Sequence, residues 1–235
     1  MKRFERNILA YAMIALLFCG ITAIISSVGA FAIAPDDDTV LLIDPGHGGL
    51  DGGAVAADGS TESSVNLAVA LRLRDLCIVF GLPFDMTRST DDLQYPPDAE
   101  SIREKKVWDQ QQRVKKAESY ENAVLISIHQ NYYPDPRPGG TQVLYGENPR
   151  SETLGVIAHE NLLRGLCPES RRVAAPALKS IYLMKAVHCP AILAECGFLS
   201  NPAEAKKLYQ PTYQTRIAVI LLASYLQFLQ SENAA

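Results

Sequence analysis

The stretch "AVLISIHQN", residues 123–131, is a near-continuous apolar run that closes on a histidine. Such a run reads as a strand covered on both faces. The C-terminal ends of strands of this kind are where open α/β sheets hold their sites. "TVLLID", Thr39 to Asp44, reads the same way, and His47 follows it in the glycine-rich turn "IDPGHGGLDGG", residues 43–53. A third run, "PAILAECGFL", Pro190 to Leu199, carries Glu195 where a core side chain is expected. An acid there is costly unless it is paired or used.

The chain between these strands alternates in type. Glu62 to Phe80 reads as a helix with a broad apolar face, closed by Gly81. "PFDMTR", Pro83 to Arg88, is a short strand, with Arg88 expected in a structural role. Ser89 to Ser101 is a loop, and Ile102 to Tyr120 a charged, mostly exposed helix. "YYPDPRPGG", Tyr132 to Gly140, has too many prolines and glycines to be regular. "TQVLYG" (141–146) and "SIYLMK" (180–185) read as strands, Ser151 to Leu166 and Thr212 to Gln230 as helices, and Asn201-Pro202 as a break. Strands alternating with helices predict one α/β domain with a mainly parallel sheet of about six strands.

The N-terminus differs in kind. Lys2, Arg3 and Arg6 precede Ile8 to Ala34, a stretch with no charged residue. As a helix it spans roughly 40 Å, enough for a ~30 Å hydrocarbon core, and the basic flank orients its start to the cytoplasm. The expected organisation is a basic stub (1–7), a transmembrane anchor or signal segment (8–34), a linker (35–39), a catalytic domain (40–230) and a tail (231–235). The domain is then extracytoplasmic, tethered to the cytoplasmic membrane or secreted if the segment is cleaved. A formal charge of -4 gives no reason to expect nucleic acid as a partner. Cys77, Cys167, Cys189 and Cys196 form no Cys-x-x-Cys pair, and free thiols are the favoured reading.

Four histidines limit the chemistry. His47 and His129 both follow buried strands, and two imidazoles with an acid at strand ends suggest a zinc site with three protein ligands and an open position. Spacing leaves the third ligand open between Glu62, which begins the helix after the His47 loop, and Glu195; the other acid would then be the base. "HENLL" at His159 lacks the second histidine of a zincin, because position 163 is leucine, so His159 is expected on an exposed or half-buried helix face. His188, before Cys189-Pro190, is a loop histidine and a weak substrate-contact candidate, as are Asn131 and Tyr132. Asp44 and Asn131 are candidates for orienting the imidazoles.

"LLIDPGHGGLDGGA", "GSTESSVNL", "MTRSTD", "QQRVKKAESYENAVLISIHQN", "GGTQV", "SIYLMK" and "PAILAECGFLSNPAEAKKL" follow one another in this order. Together they resemble the zinc-dependent N-acetylmuramoyl-L-alanine amidases of the type-3 family, over roughly Val40 to Leu229. The short form, without wall-binding repeats, is most similar to the spore-cortex members of endospore-forming Firmicutes. The resemblance implies a twisted, roughly six-stranded sheet with helices on both faces. It implies one Zn²⁺ per chain held by His47, Glu62 and His129, with Glu195 as catalytic acid/base. It implies a substrate made of the peptidoglycan glycan strand and its stem peptide, and leaves room for an activating protein partner. Ser63 and Tyr132 depart from the family pattern, which often has lysine and a small residue there. The stretch Ser151 to Pro190 is too short for the helix that plugs the site in some relatives, so an open site is expected. The competing readings are a zinc peptidase or deacetylase acting on another wall bond, and an inactive wall-binding module.

Overall fold

The computed structural model describes residues 39–233. The expected basic stub, membrane segment and nearly all of the linker lie outside the described residues. Among the described residues, no helix is long and apolar enough to cross a membrane.

Six strands form one sheet: β1 (Val40–Pro45), β2 (Phe84–Met86), β3 (Ala123–Asn131), β4 (Gln142–Tyr145), β5 (Ala175–Pro176) and β6 (Ala191–Phe198). Their order is β2-β1-β3-β6-β4-β5. β2, β1, β3 and β6 are parallel, and β4 runs antiparallel to β6. The chain leaves β1 first toward β2 and then returns to its other side as β3. That reversal opens a crevice beyond the carboxyl ends of β1 and β3, the position at which doubly wound sheets bind ligands.

The period of two along each strand sorts the side chains. Leu41, Ile43, Val124, Ile126, Ile192 and Ala194 face one side. There they pack against α1 (Glu62–Phe80), α3 (Ser151–Leu166) and the long α6 (Pro211–Asn233), through residues such as Val69, Leu73, Leu162, Leu221 and Tyr225. Leu42, Leu125 and Leu193 face the other side, under α2 (Ile102–Ala117) and α4 (Tyr182–Ala186). Continuing this second row toward the carboxyl ends gives Asp44, Ser127, His129 and Glu195. The apolar row thus turns polar where the crevice opens.

Local signals account for the helix ends. Gly81 takes φ 65° and returns its N–H to Cys77 and Ile78, closing α1. Ser101 and Glu104 form a reciprocal capping box at the start of α2.

Four sequence expectations are corrected. "SIYLMK" is not a strand: Leu183, Met184 and Val187 are buried at helical spacing, and α4 forms there. The edge position beside β4 goes instead to Ala175–Pro176. Asn201-Pro202 begins a helix, α5 (Pro202–Leu208), because the Asn201 side chain accepts from the N–H groups of Ala203 and Glu204 and Pro202 fits the first turn. The terminal helix continues to Asn233, into the expected tail. His159 is buried at 3% exposure on α3, not at its surface.

Candidate metal centre and active site

The chain leaving β1 turns over itself within a few residues. His47 has φ 59°, the one positive value at a non-glycine among the described residues. Left-handed backbone at such a residue costs on the order of 1–2 kcal/mol, and strain of this kind collects at functional sites. The turn is held from below by two buried arginines. Arg113 of α2 donates to the carbonyls of Pro45 at 2.8 Å and His47 at 2.6 Å, and pairs with Asp44 at 2.5 Å. Arg88 donates to the carbonyls of Pro45, Gly46 and Ser63, each at 3.0 Å. It ties the loop to the first turn of α1.

His47 Nδ1 lies 3.0 Å from Asp51 Oδ2, and its Nε2 faces Glu62 Oε2 at 3.3 Å. Asp51 therefore selects the tautomer with the proton on Nδ1 and leaves Nε2 free to ligate. His129 presents Nδ1 to Glu62 Oε1 at 3.0 Å. Its opposite edge lies against Gly46, where a Cβ would come within 2.1 Å of Nε2. Only glycine admits the ring there. Gly53 works similarly: with φ 68° it passes so close that a Cβ would meet Glu62 Oε2 at 2.6 Å.

Glu62 is buried and fully occupied. Its Oε1 accepts from the Gln130 N–H at 3.0 Å, and its Oε2 from the Ala54 N–H at 2.9 Å. Asn66, one turn along α1, reaches Oε1 at 3.4 Å and the Gly46 carbonyl at 3.1 Å. Burial opposes ionisation of Glu62, but the hydrogen bonds from His129 and His47 outweigh it and hold the carboxyl well below its ordinary range. Burial likewise works against charge on His47, yet the bonds to Asp51 and Glu62 raise its pKa to about 9.

His47, Glu62 and His129 each offer one ligand atom, all within 4.8 Å of one another. Two imidazole nitrogens and one carboxylate oxygen, with both rings partly exposed, match the three-ligand, open-position arrangement of catalytic zinc. A second observation supports the fit. Glu195 lies directly opposite His129 in the β3–β6 register, and its buried Oε2 has no hydrogen-bond partner. Burial pushes this carboxyl up to about 7; the His129 and His47 charges pull it down and the Glu62 charge pushes it further up. An unpartnered carboxylate beside an electron-donor cluster is a group awaiting a partner. A cleft of about 200 Å³ opens beside His129, lined among others by Asp44, Ser127, Ser180, Tyr182 and Leu183.

The structure does not bring every candidate together. His188 precedes β6 at the opposite end of the sheet and pairs with Glu118 at 2.5 Å. Asp44 bonds Arg113, Thr87 and Ser127, and so acts on His47 through Arg113 rather than on a ring. Asn131 ends β3, its carbonyl accepting from the Leu199 N–H, and Tyr132 beside it is 53% exposed at the rim. Sequence reading missed Asp51, Asn66, Gln130 and Arg113. The i, i+4 spacing of Glu62 and Asn66 along one helix is a local signal, while His47 and Asp51 share that spacing within a turn, where it does not by itself bring side chains together. Cys77, Cys167, Cys189 and Cys196 are free thiols.

A family model described as N-acetylmuramoyl-L-alanine amidase matches residues 41–224. The germination-specific N-acetylmuramoyl-L-alanine amidase of Bacillus subtilis (strain 168) is 36% identical over 200 residues, covering 85% of this chain and 83% of that protein. Among solved structures, the CwlD amidase of Clostridioides difficile, in complex with the GerS lipoprotein, superposes with a TM-score of 0.78 at 32% identity, covering 83% of this chain and 99% of that one. The amidase AmiC2 of Nostoc punctiforme gives a TM-score of 0.70 at 25% identity, covering 82% and 98%.

Proposed function

The chain belongs to the N-acetylmuramoyl-L-alanine amidase family, and from that premise we propose how its residues divide the work. The reaction is hydrolysis of the amide between the muramoyl lactyl group and L-alanine in peptidoglycan. His47 through Nε2, Glu62, and His129 through Nδ1 would hold one Zn²⁺ per chain. When bound, the ion supplies Lewis acidity, making a water acidic near neutral pH and favouring negative charge on the amide oxygen. Glu195 takes the proton from the attacking water and delivers it to the departing alanine nitrogen. Asp51 fixes the His47 tautomer, and Arg113, Arg88 and Gly46 set where the two rings stand.

The observation that carries this reading is the unpartnered Glu195 oxygen on the strand next to the His47–Glu62–His129 cluster. Glu195→Gln tests it. The variant should keep one zinc per chain and release no stem peptide from purified peptidoglycan. Mass spectrometry of the wild-type digest should find stem peptides with free N-terminal L-alanine. Near wild-type turnover by Glu195→Gln, or fragments cut at another bond, would overturn the reading.

The setting follows from the substrate. Peptidoglycan lies outside the cytoplasmic membrane, so residues 8–34 serve as anchor or export segment, with 35–39 as the joint and 40–230 as the catalytic unit. The relative named as germination-specific supports a role linked to germination, in spore-cortex maturation or, alternatively, in general cell-wall remodelling. The neighbour solved with a lipoprotein supports a protein partner for this chain as well, which co-purification from its source membrane would test.

A further inference from the structure

Among the described residues no acid lies within ion-pair distance of Arg172. Its guanidinium carbon lies 4.8 Å from the centroid of the Phe198 ring, and its backbone N–H is tied to Ser170. Phe198 ends β6, the strand that carries Glu195, and lies three residues beyond it, roughly 8–10 Å along the strand. The register shifts between these two positions, since His129 pairs with Glu195 but Asn131 with Phe198. The extra residue brings Phe198 back to the sheet face of Glu195. The segment bearing Arg172 is held by a second contact. Gln142 sits directly across from Glu195 in the β4–β6 ladder, and its Nε2 donates to the Val173 carbonyl at 2.6 Å. Gln142 thus stands between Glu195 and the 172–173 segment, which lies on the far side of β4, roughly 10 Å across the sheet from Glu195.

The guanidinium lies over the Phe198 ring, and among the described residues its N–H groups donate to no protein acceptor. A planar fork of donors on an aromatic platform suits a carboxylate, which it can bind through two parallel hydrogen bonds. The substrate narrows the choice. Its sugars are N-acetylated and neutral, and the lactyl carboxyl is consumed in the scissile amide. Free carboxylates belong to the stem peptide.

We propose that Arg172, seated on Phe198, binds a stem-peptide carboxylate two or three residues from the scissile amide, and so sets the enzyme's preference for free over amidated stems. This rests on the amidase reading above. Arg172 is a binding residue here, and its loss acts on KM more than on kcat.

The test uses the zinc-loaded wild type and Arg172→Gln on two muropeptides, one with its stem carboxylates free and one with them converted to amides. The wild type should favour the free stem by about tenfold or more in kcat/KM. Arg172→Gln should lose that preference, falling toward the wild-type rate on the amidated substrate, and Arg172→Lys should recover part of it. Equal losses on both substrates would mean a merely structural role and overturn the proposal, as would an unchanged preference. Calorimetric binding of the released stem peptide separates the two readings. Arg172-dependent binding without any cleavage supports this subsite and sinks the amidase reading. Cleavage without discrimination does the reverse.

Discussion

Arg113 donates to the backbone carbonyl of His47 at 2.6 Å, from a helix whose composition marks it as a surface element. The same guanidinium pairs with Asp44, and both side chains are at most 2% exposed. Burial opposes ionisation of Asp44, but Arg113 and the hydroxyls of Ser127 and Thr87 outweigh it and keep its carboxyl below the ordinary range. This buried pair is what carries the strained His47 turn.

Arg113→Met removes one partner and leaves a buried carboxylate uncompensated. Such truncations cost about 3–5 kcal/mol. Urea unfolding should show a loss of that order, together with weaker zinc binding because the His47 carbonyl loses its anchor. The pH dependence has a definite sign. A carboxyl whose folded pKa is depressed contributes stability that is fully present above its ordinary value near 4 and is lost as pH falls through the folded value. The wild type should therefore lose this contribution as pH falls below about 4. In Asp44→Asn that part of the acid sensitivity should be missing.

The metal-free protein should hold a proton on His47 at neutral pH, since its pKa is raised to about 9. Zinc must displace that proton. Calorimetry at pH 7.5 in buffers of different ionisation enthalpy should report about one proton released per zinc, and affinity should rise with pH toward 9. The stability sign is the opposite of the carboxylate case. A raised histidine stabilises the metal-free fold below its ordinary value near 6.5, and that contribution disappears as pH rises through 9. The metal-free melting temperature should fall over this window. Asp51→Asn, which removes a source of the shift, should flatten the fall and weaken zinc binding about 10–100-fold.

Gly46→Ala probes the fit of the second imidazole. The added methyl would meet His129 Nε2 at 2.1 Å, so the ring must leave its position. Zinc content by elemental analysis should drop below one per chain and turnover should vanish, while the circular dichroism of the sheet and helices stays near that of the wild type. Full metal content in this variant would show that the ring can be accommodated elsewhere.

His159 is buried on α3 with neither ring nitrogen hydrogen-bonded. Unsatisfied buried polar groups cost about 1–3 kcal/mol, and an apolar side chain of similar volume removes the penalty. His159→Leu should raise unfolding stability by about 1–2 kcal/mol with kcat/KM unchanged. A destabilised variant would mean that the imidazole has an unrecognised partner.

The strands at Thr39, Ala123 and Pro190 and the long helices from Glu62, Ser151 and Thr212 were legible because burial repeats with the local period of the backbone. His47, His129 and Glu195 were legible because they interrupt or terminate those runs. Where period and burial disagree over short spans, the reading failed. The six residues of "SIYLMK" are too few to separate a strand from a single helical turn, and Asn201-Pro202 serves equally as a break and as a helix start.

Sequence alone thus determined the α/β class, the order of the main elements and the strand ends at which the chemistry gathers, since each depends on neighbours within a few residues. Tertiary structure alone decided that Arg113 would be drawn inside, that Gln130 would hold Glu62, and that Glu195 would be left without a partner. Those outcomes depend on groups up to 69 residues apart, as with Arg113 and Asp44. A pairwise electrostatic contact has no period along the chain; it exists only once the sheet has brought its two ends together.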